Sequence, residues 1–132
     1  MAMAYFKSLV AEKEVRVFSA GLAAYSGFPS SPQAVKILSF YGLDLTQHLS
    51  QALTSRLAEE ANLLIVMTEA HRDWIVRQWP HASDKVFLLR EFAEKHDTDT
   101  MDIFDPVGFA EEVYEKCFQL MKEPLERLGE MV

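Results

Sequence analysis

Apolar positions along the chain change their spacing several times, and each change marks an element. Ala2, Tyr5, Phe6, Leu9 and Val10 fall on one face at helical spacing, which predicts a helix over residues 2–13. No capping residue precedes it, so the chain opens as though already inside the helix. Glu14-Val-Arg-Val-Phe18 reads as a short strand ended by Ser19-Ala-Gly21. Ser31 before Pro32 is a capped helix start, and Gly42 stands where that helix should end. A short segment from Leu43 to Leu53 carries His48, and Thr54 caps a helix reaching Ala61. Asn62-Leu-Leu-Ile-Val-Met67 is almost continuously apolar, the pattern of a strand buried on both faces. Thr68 caps the next helix, Glu69 to Trp79, which Pro80 stops, and Lys85-Val-Phe-Leu-Leu89 is a further buried strand. A polar loop from Lys95 to Asp102 leads into Phe104-Asp105-Pro106-Val107-Gly108. The last helix starts near Phe109, and Pro124 should kink or restart it.

Strands alternating with helices of about three turns predict βαβ units and a parallel sheet, hence a three-layer α/β/α fold in one domain spanning residues 1–132. Three strands are few for such a sheet, and the gap falls at the amino terminus, where the first helix has no strand to follow from. Charge narrows the partners. With 13 Lys+Arg against 20 Asp+Glu the net charge is −7, and no basic cluster offers a nucleic acid its phosphate contacts. No apolar run is long enough to span a bilayer and no signal-peptide pattern opens the chain, so a cytoplasmic protein without membrane contact is expected.

Candidate chemistry is sparse. Cys117 is the only cysteine, and it sits in an apolar stripe with Tyr114, Phe118, Met121, Leu125 and Leu128. No basic neighbour favours its thiolate, so it reads as a core residue. Asp105 before Pro106 is held extended by the proline ring and can aim a carboxyl group at a ligand, although an Asp-Pro turn is also common without function. His48, between Leu45 and Leu49, reads first as a buried, hydrogen-bonded histidine. His48, His71, His81 and His96 make no metal-ligand spacing, so no metal is expected, and no phosphate-binding or dinucleotide glycine motif is present, so no cofactor is expected either.

Six segments in register carry a resemblance. They are Val17-Phe-Ser-Ala-Gly21 followed by Tyr25, Ser31-Pro-Gln-Ala-Val35, Gly42-Leu-Asp-Leu45 with His48, Ala61 to Thr68 with His71-Arg72, Lys85 to Leu89, and Asp105-Pro-Val-Gly108. Together they resemble the low-molecular-weight protein-tyrosine-phosphatase family, especially its short bacterial members, which include protein arginine phosphatases. The family pattern opens with a strand and a C-x5-R-[ST] phosphate loop, and Met1-Ala-Met-Ala-Tyr-Phe6 looks like the stretch just after that loop. The resemblance thus implies a phosphotyrosine-phosphatase-I-like fold whose first, central strand is absent from this sequence.

The resemblance also assigns roles. Asp105 would be the catalytic acid, Tyr25 an aromatic wall of the substrate cleft, and Ser19 and His48 the residues that brace the phosphate loop. Val107 stands where the family carries an aromatic residue after Asp-Pro, which implies a weaker second wall. The implied activity is hydrolysis of phosphotyrosine or phosphoarginine through a phosphocysteine, with phosphorylated proteins or small aryl phosphates as partners. Without the nucleophilic cysteine and the arginine of the loop, the 132 residues are expected to be inactive. The alternative is a non-catalytic pseudo-phosphatase binding module or a dimer-forming α/β protein. The gap in the sheet should be repaired, either by a homodimer exchanging residues 1–20 or by residues 14–18 closing onto residues 62–67.

Overall fold

A computed structural model describes residues 1–22, 26–94 and 101–132 of the chain. Helix α1 (Ala2–Leu9) has no side-chain cap and ends earlier than predicted, where Val10 leaves helical backbone. Lys13 then reaches the far end of the chain, donating from Nζ to the carbonyls of Gly129 at 2.6 Å and Val132 at 2.8 Å. Three later helices begin as their sequences dictate. Ser31 caps α2 (Pro32–Ser39), Thr54 caps α3 (Ser55–Glu60) and Thr68 caps α4 (Glu69–Gln78), each hydroxyl accepting the amide three residues on. Such a cap is worth about 1 kcal/mol. Gly42, at φ 73°, takes the left-handed backbone that turns the chain out of α2 and lets Leu43 N–H reach the Leu38 carbonyl at 3.0 Å.

Among the described residues the sheet consists of two parallel strands, β1 (Leu64–Val66) and β2 (Val86–Leu88), in the register Leu64 to Val86, Ile65 to Phe87 and Val66 to Leu88. Alternation along β1 divides the core. Leu64 and Val66 join Ile75 of α4, Val86 and Leu88 on one face. Ile65 and Met67 join the opposite cluster, where Phe6 and Val10 meet Met121, Leu125 and Leu128 of the last helix, α5 (Glu111–Met131). Helices therefore cover both faces, and the predicted α/β/α layering holds. A third cluster fastens α2 to α5 through Ala34, Ile37, Leu38, Tyr114 and Phe118. The Phe118 ring is fully buried, edge-on to Tyr5 at 5.3 Å and to Tyr41 at 4.8 Å. Contrary to the predicted restart, α5 runs through Pro124 as one element, its apolar face buried on both sides of that residue.

The strand predicted over residues 14–18 is not formed. Burial alternates there as in a strand, with Val15, Val17 and Ser19 half-buried and Arg16, Phe18 and Ala20 exposed. Among the described residues, however, the segment joins no ladder, and it does not close onto β1. Alternation specifies which side chains face the core, whereas a strand also needs a neighbouring backbone, and here none lies alongside. The nearest sheet-like contact is an isolated parallel bridge between Gly21 and Ala52. Among the described residues no helix is long and apolar enough to cross a membrane.

Phe118 joins α1, α2 and α5, so its removal tests this packing. Phe118→Ala should lower stability by about 3–5 kcal/mol in chemical denaturation, a large share of a typical domain's 5–15 kcal/mol. A loss below about 1 kcal/mol would show that the cluster does not hold the helices together.

Candidate functional site

Asp105 sits on the loop that enters α5, and three anchors fix that loop from behind. Cys117 Sγ donates to the Phe104 carbonyl at 3.3 Å, Ile103 N–H donates to the Met67 carbonyl at 2.8 Å, and Asp102 Oδ1 accepts the Glu69 amide at 2.8 Å. The loop is thus tied to α5, to the end of β1 and to the start of α4. Within it, Asp105 Oδ1 accepts the Val107 amide at 3.0 Å, an Asx turn that orients the carboxyl group. Phe109 N–H closes a turn on the Pro106 carbonyl at 3.0 Å, and Gly108 supplies the positive φ of 86° that its third position requires. Asp105 is exposed, with Phe104, Val107 and Phe109 exposed around it.

Ser19 and His48, 29 positions apart, come together. Ser19 Oγ lies 3.4 Å from His48 Nε2, at the long limit of a hydrogen bond. The pairing is built by the backbone around it. Gln51 Nε2 donates to the Ser19 carbonyl, Gly21 N–H to the Gln51 carbonyl and Leu53 N–H to the Gly21 carbonyl, each at 2.9 Å. A cleft of about 470 Å³ opens beside the pair, lined by Met3, Lys7, Phe18, Ser19, His48 and Gln51 among others.

The amino terminus links the two halves. The Met1 amine is buried where α1 begins, and burial lowers its pKa. His48 is held below the usual histidine range by burial first, then by the Met1 amine and Lys7. Cys117 is fully buried, and its thiol is pushed up to about 11, chiefly by burial and then by the Asp105 charge, with the Met1 amine opposing. His48 and Cys117 are thus both within electrostatic range of the start of α1, and Cys117 also feels the Asp105 charge. A helix start concentrates unpaired amides and the positive end of the helix dipole, an arrangement suited to an anion.

Tyr25 lies outside the described residues. Gln51, Asp102 and the Met1 amine were invisible to sequence reasoning, because each acts on residues far away in the chain and belongs to no local motif. Among the described residues, no group of three or more histidine, cysteine or acidic side chains could hold a metal ion.

Comparison with known proteins identifies the family of the chain. The model of the family described as low molecular weight phosphotyrosine protein phosphatase matches residues 1–132. A protein-arginine-phosphatase of Bacillus subtilis is 35% identical over 135 residues, covering 100% of this chain and 87% of its own length. A probable low molecular weight protein-tyrosine-phosphatase, EpsP, of Ralstonia nicotianae is 34% identical over 114 residues, covering 86% of this chain and 70% of its own. The solved structure of the YwlE arginine phosphatase from Geobacillus stearothermophilus superposes with a TM-score of 0.87 at 32% identity, covering 98% of this chain and 81% of that one. With a match along its whole length and a shared fold, this chain belongs to the low molecular weight phosphotyrosine protein phosphatase family.

Proposed function

We propose that the chain carries the acid–base and loop-bracing part of a cytoplasmic phosphatase that removes phosphate from tyrosine or arginine side chains of proteins. The observation that supports this most is that Ser19 and His48, 29 positions apart, come together beside the first turns of α1, while Asp105 stands on a loop tied to the core through Cys117. Relatives whose names specify tyrosine and arginine phosphatases give the substrate class.

The chemistry has two steps. A cysteine thiolate attacks phosphorus, the bond from phosphorus to the leaving oxygen or nitrogen breaks, and Asp105 gives its proton to the leaving atom. Water then attacks the phosphocysteine, the sulfur–phosphorus bond breaks, and Asp105 takes the water's proton. Ser19 and His48 brace the loop that holds the phosphoryl oxygens, and the family resemblance assigns Tyr25 the role of an aromatic wall. Val107, 70% exposed, offers the substrate an aliphatic rather than an aromatic surface.

Cys117 is not the nucleophile in this reading. Its side chain is buried, its thiol is pushed up to about 11, and the sixth residue beyond it is Glu123, where a phosphate loop needs arginine. Residues 1–132 alone should therefore not hydrolyse p-nitrophenyl phosphate above a buffer control, and Cys117→Ser should change nothing. Turnover abolished by Cys117→Ser would overturn the assignment.

The thiol itself gives an independent check. With a folded-state pKa near 11, only about one Cys117 in a thousand is thiolate at pH 8. Labelling by an aromatic disulfide at pH 8 should consequently be slow in the folded chain and become fast in denaturant. Fast labelling of folded protein would remove the case for a buried, inert thiol.

Placing a strand and a C-x5-R-S-P loop in front of Met1 should create aryl phosphatase activity. In that protein Asp105→Asn should slow substrates with poor leaving groups by about 10²–10⁴-fold and leave those with good ones nearly unchanged. An equal loss on both would make Asp105 a structural residue.

A further inference from the structure

Six arginines stand in this chain, and four of them are engaged. Arg56 pairs with Glu60 at 2.9 Å, Arg127 donates to the Phe92 carbonyl at 2.9 Å, Arg16 lies over the Phe18 ring at 5.3 Å, and Arg90 is buried with a partner of its own. Arg72 and Arg77 of α4 differ. Among the described residues, neither guanidinium takes part in an ion pair, a hydrogen bond or a ring contact. Asp73 stands four residues before Arg77, a spacing that favours a helical ion pair. Glu123 and Arg127 meet at that same spacing, at 3.8 Å, yet Asp73 leaves Arg77 unpaired.

Both arginines line a cleft of about 580 Å³ together with Asp73, Val76 and Ser83. The cleft is fixed from behind. Ile75 of α4 and Ala82 are buried in one core cluster, and Trp74 and Trp79 meet edge-on at 5.8 Å. Pro80 follows the end of α4, and the short turn Pro80–Ala82 brings the chain back so that Ser83 stands beside the helix. Five helical residues separate the two arginine positions by about 7.5 Å along the axis. Alternate residues of an extended chain are about 6.8 Å apart and point to the same side. The two repeats nearly coincide.

We propose that this cleft binds an extended acidic segment of a partner protein, with carboxylates at alternate positions. One carboxylate meets Arg72 and the next but one meets Arg77, each guanidinium offering parallel N–H donors. Val76, half-buried in the same cleft, supports the middle of the segment. The Ser83 hydroxyl can donate to a main-chain carbonyl, and Asp73 can accept a main-chain N–H. Asp73 also bears on the choice of ligand. Its charge opposes a compact dianion such as phosphate, whereas two separated carboxylates can each keep to one guanidinium. The overall charge of −7 repels an acidic segment, so its approach favours a patch whose cations are not already neutralised. This inference is independent of the catalytic reading, since it involves neither Asp105 nor the Ser19–His48 pair.

The test titrates the 132-residue chain at low salt with a synthetic peptide carrying two glutamates separated by one alanine, and follows the Val76 methyl signals by NMR. Saturable shifts are expected, with the affinity falling as salt is raised. A peptide of the same composition with adjacent glutamates, which point to opposite sides, should bind about fivefold more weakly, and one with glutamines in their place should not bind. Arg72→Gln and Arg77→Gln should each weaken binding about fivefold, while Arg56→Gln, whose partner is Glu60, should leave it unchanged. Four results would overturn the proposal: no saturable shift at Val76; equal binding of the two glutamate peptides, which is unspecific attraction; displacement of the peptide by an equal concentration of inorganic phosphate, which makes the cleft a single-anion site; or a dimer in sedimentation that Arg72→Gln abolishes, which makes a second copy the occupant.

Discussion

Burial of one face of α5 is the constraint on which the other elements depend. Cys117, Met121, Leu125 and Leu128 supply the cluster shared with α1 and β1, and Tyr114 and Phe118 supply the cluster shared with α2. A single helix thus sets the positions of two others and of the sheet. Its polar and backbone atoms extend this control. Glu126 accepts a hydrogen bond from the Tyr5 hydroxyl of α1, and the Gly129 carbonyl holds Lys13 as the chain leaves that helix. Because interiors are packed near crystalline density, a shift of this helix would be felt at every contact rather than absorbed at one.

The same helix reaches the site. Through the hydrogen bond of Cys117 to the Phe104 carbonyl, the core fixes the loop on which Asp105 stands. A thiol that performs no chemistry therefore contributes to placing a carboxylate that can. The Ser19–His48 pair depends on a different device, the short bridge between Gly21 and Ala52 with Gln51 holding the Ser19 carbonyl. Two independent supports thus hold the candidate residues, one running from the packed core through Cys117 and the other built from backbone pairing.

Much of this was legible in the residues themselves. Ser31, Thr54 and Thr68 each start a helix within one residue of the position their capping chemistry indicates, because a cap is a local interaction. The strands at residues 64–66 and 86–88 followed from continuous apolar runs, although Leu64, Ile65 and Phe87 are half-buried rather than enclosed on both faces. Residues 14–18 misled for an equally physical reason. Their alternation is real and their inward side chains do face the core, but pairing is decided by a neighbour that local sequence cannot report. At the site, Asp105 stood out through its proline and glycine neighbours. Ser19 and His48 had no such signal and acquired meaning only from the family resemblance. Asp102 and Gln51 acquired theirs only from three-dimensional proximity.

The buried Met1 nitrogen acts on His48 and Cys117 only as long as it is a primary amine. If it is formylated, or if any residue precedes it, it becomes an amide, loses its charge and can donate a single hydrogen bond like the other amides of the first turn. His48 would then move back toward the ordinary histidine range, and the Cys117 thiol would become harder still to ionise. The covalent state of one nitrogen is in this way a setting of the site's electrostatics. Any polypeptide joined ahead of Met1 would in the same way alter the very groups whose titration is being measured.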